Sequence, residues 1–392
     1  MRFIRHSYLM IIFSICFTSY SSALDLNIID TGEVPFELIK GAIVVPVKID
    51  NSLYRFVLDT GGYLTVSEQL KNEHSLEVVS SIEVSDINRN VREFSMVAIP
   101  KMSIGNWDLS NRESILSDSY KVYPTSCFEL DGMIGRDLLK DVFLLIDYST
   151  KMLRITNQSN LLSMDKVFST KMKISKRGLP SVKMEINGKK QFIEFDSGSR
   201  DWFSYKTADL SAKSKRANKD IQHYKGVFSF GVSGKDYTPE NRYRRKMDKV
   251  KIGGVVFENS YSDLSKKTAP RIGAGLLRYG VVLVDYINNY FYYKGFEDKA
   301  VKIDLSHHGF AIAKVEGKYI IKWVLKDSEA SEKGLSFGDE IITINGSSIE
   351  ELNDECYNYI NDYPMLDEEK LLLKILKPNG VREEVVIDRM RF

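Results

Sequence analysis

Tyr54-Arg55-Phe56-Val57-Leu58-Asp59-Thr60-Gly61 and, 137 positions later, Gln191-Phe192-Ile193-Glu194-Phe195-Asp196-Ser197-Gly198 are one unit written twice. Each is a run of aromatic and β-branched residues that ends in an aspartate, a hydroxyl residue and a glycine, the composition of a strand running into a tight turn. A second strand-like run precedes each unit, residues 43–49 and 182–186, joined to it by Asp50-Asn51 and Asn187-Gly188. Downstream the echo continues at an offset of 138. Asp131-Gly132-Met133-Ile134-Gly135-Arg136-Asp137-Leu138-Leu139 leads to Phe143-Leu144-Leu145-Ile146-Asp147-Tyr148, and Arg271-Ile272-Gly273-Ala274-Gly275-Leu276-Leu277 leads to Val281-Val282-Leu283-Val284-Asp285-Tyr286. Between the motifs lie two short β-like units with turn glycines, at Gly105 and Gly253. The chain therefore holds two homologous halves.

Most runs in both halves are short and apolar with turn residues between them, and helical spacing is confined to brief stretches at 135–140 and near Leu276. The expected fold is mainly β, two pseudo-symmetric lobes followed by a different, α+β unit. The boundaries read as 24–158 for lobe 1, 159–300 for lobe 2 and 301–392 for the third unit, with a connector near 156–168. A length of 392 residues accommodates this, and 43% hydrophobic with 11% aromatic residues excludes a disordered chain. With 55 Lys and Arg against 53 Asp and Glu, bulk-charge binding of nucleic acid is excluded as well.

Arg2 and Arg5 precede the apolar run 8–17, and Ser21-Ser22-Ala23 follows it. The run is too short to span a bilayer, so residues 1–23 read as a cleaved signal peptide and the mature chain as secreted or periplasmic, with no membrane span. Cleavage removes both arginines and leaves 53 basic and 53 acidic side chains, a formal charge of zero. It also leaves only Cys127 and Cys356, 229 positions apart and in different units, so no disulfide framework is indicated.

An aspartate closing an apolar strand is costly to bury unless it is hydrogen-bonded or shares a proton. Gly61 and Gly198 let backbone N–H groups approach the carboxylates of Asp59 and Asp196, and Thr60 and Ser197 offer hydroxyls for bonds across the interface between lobes. If the two-fold repeat brings the turns together, the two carboxylates share one proton and form an acid and a base in one site.

These paired turns resemble those of aspartic peptidases of the pepsin and retropepsin superfamily, and so does the apolar-Gly pair (Ile134-Gly135, Ile272-Gly273) about 76 residues after each aspartate. The resemblance covers residues 36–296. It implies that the two apolar-Gly strands thread behind the catalytic turns, and that the chain is an endopeptidase acting on peptide or protein substrates through a shared water and an Asp59–Asp196 dyad, with no cofactor. The same fold without cleavage, a peptide-binding scaffold, is the alternative. A glycosidase using two carboxylates does not explain why the acids sit in repeated turns. Two residues depart from the family pattern: Gly62, where Ser or Ala is usual, and Arg271, where an apolar residue usually precedes Ile-Gly, as Met133 does in the first half. Asp30-Thr31-Gly32 has no repeat partner and reads as a decoy. Such enzymes close a β-hairpin over the substrate; 226–234 is the glycine-bearing candidate, and 75–100 in the first half holds no comparable glycine-rich stretch.

The third unit carries Asp327-Ser328-Glu329-Ala330, Lys333-Gly334-Leu335 and Gly338-Asp339-Glu340-Ile341-Ile342-Thr343-Ile344-Asn345-Gly346, then a helix candidate at 349–359 and two strands at 370–376 and 381–387. It resembles a PDZ domain of the type attached to bacterial proteases. That implies a peptide ligand added as an extra strand, its terminal carboxylate captured by backbone N–H groups; Gly317, Lys318 and Tyr319 are the expected capturing loop. The apolar C-terminal Phe392 could dock in such a groove, in cis or on a neighbouring chain. The five histidines show no metal-ligand spacing, no G-x-S-x-G elbow occurs, and phosphate-binding glycine loops are absent, so zinc and serine hydrolase chemistry are disfavoured and no metal is expected.

Overall fold

The structure, a computed structural model, describes residues 31–392 apart from 86–90, 123–124, 159–163, 201, 207–220, 227–228, 232–233, 237–239, 266–269, 299, 304–305, 316, 350–355, 357–365 and 391–392. The signal segment and Asp30 lie outside the described residues, as does nearly all of the 349–359 helix candidate.

The architecture is mainly β. Strands Ala42–Ile49 and Ser52–Asp59 pair antiparallel around a tight turn in which Asp50 has φ +50°. Pro180–Ile186 and Lys189–Asp196 do the same around Asn187 and Gly188. Apolar residues at alternate positions face one core: Phe56 and Leu58 in one half, Ile193 and Phe195 in the other, all essentially inaccessible to solvent. The turn glycines Gly105 and Gly253 both adopt positive φ, +54° and +57°.

Six strands form one antiparallel sheet across the halves, in the order Thr31–Pro35, Met152–Thr156, Phe143–Asp147, Gly280–Asp285, Tyr290–Gly295, Ser169–Ile174. At its middle Leu145 lies directly opposite Leu283. These residues are 138 apart, the offset of the sequence repeat, so the pseudo-two-fold axis passes between them. Thr31–Pro35 thus has a structural counterpart in Ser169–Ile174, although the Asp30-Thr31-Gly32 triplet itself is not repeated. Gly32 belongs to this edge strand, and a Cβ there would come within 2.6 Å of the Ile104 carbonyl oxygen.

A separate core holds the C-terminal unit together, built from Phe310, Ile312, Ile321, Ile341, Leu373 and Ile387 among others. Its strand Lys318–Leu325 also pairs outward, with Ile221–Gly226 of the second half: Tyr224 faces Leu325 and Gly226 faces Trp323. One expectation is overturned here. Cys127 and Cys356 are joined in a disulfide, with Cα atoms 5.0 Å apart. Both pack in a small cluster with Val44, Val57, Tyr120 and Phe128, so the bond ties the C-terminal unit to the first half. Their distance in sequence concealed a proximity that only the docking of the third unit creates.

Candidate active site

The two aspartate turns meet on the pseudo-two-fold axis. The Thr60 amide donates to Ser197 Oγ at 3.0 Å, and the Ser197 amide donates to Thr60 Oγ1 at 3.0 Å. Each hydroxyl then donates onward, Thr60 to the Phe195 carbonyl and Ser197 to the Leu58 carbonyl, both at 2.9 Å. Both residues are fully buried. Four reciprocal bonds in a dry interface leave no hydroxyl or turn amide unsatisfied and hold the turns in one register.

The glycines are required by the resulting crowding. A Cβ on Gly61 would sit 2.8 Å from Asp196 Oδ1, and one on Gly198 would strike the Asp59 carboxyl. Gly62 is explained in the same way, since a Cβ would lie 2.9 Å from Asp59 Oδ2 and 2.5 Å from Met133 Sδ. Gly61 and Gly62 donate to Asp59 Oδ1 at 2.8 and 2.9 Å, and Gly198 and Ser199 donate to Asp196 Oδ1 at 3.1 and 3.2 Å.

Behind each turn runs the expected apolar-Gly strand. Gly132–Gly135 lies parallel to Ser52–Asp59 with Ile134 opposite Leu58 and Gly135 opposite Asp59. Arg271–Gly273 lies parallel to Lys189–Asp196 with Ile272 opposite Phe195 and Gly273 opposite Asp196. Both isoleucines are fully buried, and a Cβ at Gly135 would collide with the Tyr63 backbone.

Electrostatically the two halves differ. Burial, the charge of Asp196 and hydrogen bonding with it push the Asp59 carboxyl up to about 7, against the pull of the Gly61 and Gly62 amides. Asp196 instead has a cation at contact: Arg271 Nη1 donates to its Oδ2 at 2.6 Å, and both side chains are mostly buried, 16% and 14% exposed. Glu194, opposite Arg271 in the strand register, is raised by burial, with Arg271 pulling it down and Asp196 pushing it up. Arg136, not singled out in the sequence, supports the first turn: its guanidinium donates to the Gly61 carbonyl and lies 3.9 Å over the Tyr63 ring. Asp137 accepts the Leu64 amide at 2.8 Å. The only sequence signal for this pair was a charged couplet directly after an apolar-Gly strand; the second half has Ala274 and Gly275 there.

The first half does carry a hairpin over 75–100, Val78–Ser85 paired with Val91–Ile99. Asp86, Asn88 and Asn90 lie in the sequence between them, turn formers that a search for glycine passes over. In the second half Ile221–Gly226 pairs with Glu240–Ile252, and within that span Ser229–Gly231 pairs with Gly234–Asp236. Residues 227–228 and 232–233 of the 226–234 candidate lie outside the described residues.

In the C-terminal unit Gly317 and Lys318 form the tip of the hairpin between Phe310–Val315 and Lys318–Leu325. Lys318 Nζ pairs with Glu340 Oε2 at 2.7 Å and Tyr319 is buried. Among the described residues Phe310–Val315 pairs with Lys318–Leu325 alone, so its other edge has no strand partner. The tail runs back past the start of that strand, Met390 bridging His307, while Phe392 lies outside the described residues. No helix among the described residues is long and apolar enough to cross a membrane.

Residues 305–383 match the family model of the PDZ domain. No curated protein matches the sequence. Among solved structures the chain is similar to Basic 7S globulin from soybean, at 12% identity and a TM-score of 0.41 over 70% of this chain and 98% of that one. It is also similar to the aspartic proteinase from Irpex lacteus, at 11% identity and a TM-score of 0.40 over 68% of this chain and 97% of that one.

Proposed function

We propose that this protein is an aspartic-type endopeptidase that hydrolyses peptide bonds with a water held between Asp59 and Asp196, and that its PDZ domain binds extended peptide. The observation that carries the reading is the reciprocal Thr60–Ser197 exchange, which leaves two carboxylates side by side at the lobe interface, that of Asp59 pushed up by burial and by its neighbour. One ionised carboxylate takes a proton from the water while the protonated one donates to the scissile carbonyl, a contribution of roughly 10²–10⁴-fold per transfer. In this reading 24–158 and 159–300 are the two lobes, 301–392 is the peptide-binding unit, and residues 1–23 direct the chain out of the cytosol. The Cys127–Cys356 disulfide supports an oxidising compartment. A peptide entering the PDZ unit adds along the edge of Phe310–Val315 that has no strand partner among the described residues, which favours capture of its carboxylate at the start of that strand over the hairpin tip at Gly317, Lys318 and Tyr319.

A second reading, a peptide-binding scaffold that does not cleave, is favoured by one feature, the Arg271 ion pair on Asp196. Incubating the mature protein with a denatured protein mixture from acid to neutral pH, beside Asp59→Asn and Asp196→Asn, separates the two. Cleavage by the wild type that either substitution abolishes supports the dyad. Cleavage surviving either substitution sinks it, and a wild type inert at every pH leaves the scaffold.

A further inference from the structure

Within the strands behind the two aspartate turns, the repeat is broken at the position before Ile-Gly. Met133 and Arg271 are equivalent, 138 apart, and each precedes its Ile-Gly in the strand behind an aspartate turn. Met133 puts an uncharged sulfur against Gly62, whereas Arg271 puts a guanidinium on Asp196. Each carboxylate also accepts two turn amides on its Oδ1.

Resting on the peptidase reading, we infer that Arg271 is a positioning residue that assigns the dyad's roles, holding Asp196 as the resident anion and leaving the shared proton on Asp59. Asp196 is then the base and Asp59 the acid. A water proton passes to Asp196 as the water oxygen bonds to the carbonyl carbon, and the Asp59 proton passes to the carbonyl oxygen, giving a neutral gem-diol. The proton on Asp196 next moves to the amide nitrogen, the C–N bond breaks, and a diol hydroxyl returns its proton to Asp59. Both carboxyls end as they began.

Glu194 stands beside Arg271 on the neighbouring strand and competes for it, and Arg136 acts on Glu194 from behind the first turn. Arg271 Nε is buried without an acceptor among the described residues, so the guanidinium's short contact is with Asp196. Unlike the dyad, which depends on residues present in both halves, this bias depends on a residue that only one half has.

Arg271→Met, which restores the first half's residue, tests the assignment, with Arg271→Lys as the charge-conserving control. An adjacent cation lowers a carboxyl by about 1–3 units. The acid limb of the kcat/KM profile is therefore expected to move up by about 1–3 pH units in Arg271→Met and to stay near the wild-type position in Arg271→Lys. A loss of activity equal at every pH, with the limb unmoved, overturns the assignment. A second readout needs no turnover: carboxyl-carbon NMR titration of the wild type, its signals assigned with Asp59→Asn and Asp196→Asn. Asp196 ionising well below Asp59 upholds the inference even if the wild type cleaves nothing and the peptidase reading fails; the reverse order overturns it.

Discussion

At the scale of single residues, the cost of the site is concentrated in Asp59. Its carboxyl is raised from 3.8 to about 7, chiefly by burial and then by Asp196. A raised acid binds its proton more tightly folded than unfolded, so its contribution to stability is fully present below pH 3.8 and is lost as pH rises through about 7. Asp59→Asn keeps an oxygen for the Gly61 and Gly62 amides and removes the charge. It is expected to leave stability at pH 4 nearly unchanged and to raise it at pH 8 by roughly 2–4 kcal/mol, read from urea unfolding at the two pH values. A variant equally or less stable than wild type at pH 8 contradicts this account of the buried carboxyl. Both aspartates, their hydroxyl neighbours and their glycines were legible in the sequence because the repeat wrote them twice. Arg271 was legible only as a departure, since its meaning lies in a contact with a residue 75 positions earlier.

Among the elements, the strands and their turns could be read because alternation and turn chemistry are local. Pairing between units is not local, and it was missed. Lys318–Leu325 extends the second-half sheet through Ile221–Gly226, with the Lys326 amide donating to the His223 carbonyl at 2.7 Å and the Tyr224 and Trp323 rings 5.4 Å apart. Gly226 permits the approach, for a Cβ there would collide with the Lys322 carbonyl and the Trp323 side chain. Gly226→Val should therefore open this seam at the cost of two or three backbone bonds, on the order of 2 kcal/mol. Amide exchange is the measure: protection at 224–226 and 323–325 should fall by about tenfold or more while that of Ser52–Asp59 holds. Unchanged exchange along the seam would show that the two strands do not depend on each other.

Across the whole molecule, three parts are tied by contacts of different kinds: the six-stranded sheet joins the halves, strand pairing joins the second half to the C-terminal unit, and Cys127–Cys356 joins that unit to the first half. The offset of 138 fits the first, because symmetric halves that pair across their axis meet at equivalent residues such as Leu145 and Leu283. The disulfide follows no periodicity, and a separation of 229 residues has no preferred distance until the third unit is docked. That same separation makes the bond consequential, because a cross-link closing so long a loop removes more freedom from the unfolded chain than a short one does, about 5 kcal/mol in the chain-entropy picture. The bond also holds Cys356 against the cluster around Phe128 and Tyr120, on the first half that contributes Asp59. The mature protein, denatured without reductant, should therefore show no free thiol, and two after reduction. Cys127→Ser with Cys356→Ser should unfold several kcal/mol more easily than the oxidised wild type, and reductant should lower the wild type towards the variant without affecting the variant itself. Two free thiols before reduction, or a variant as stable as the oxidised protein, would mean that strand pairing alone fastens the C-terminal unit.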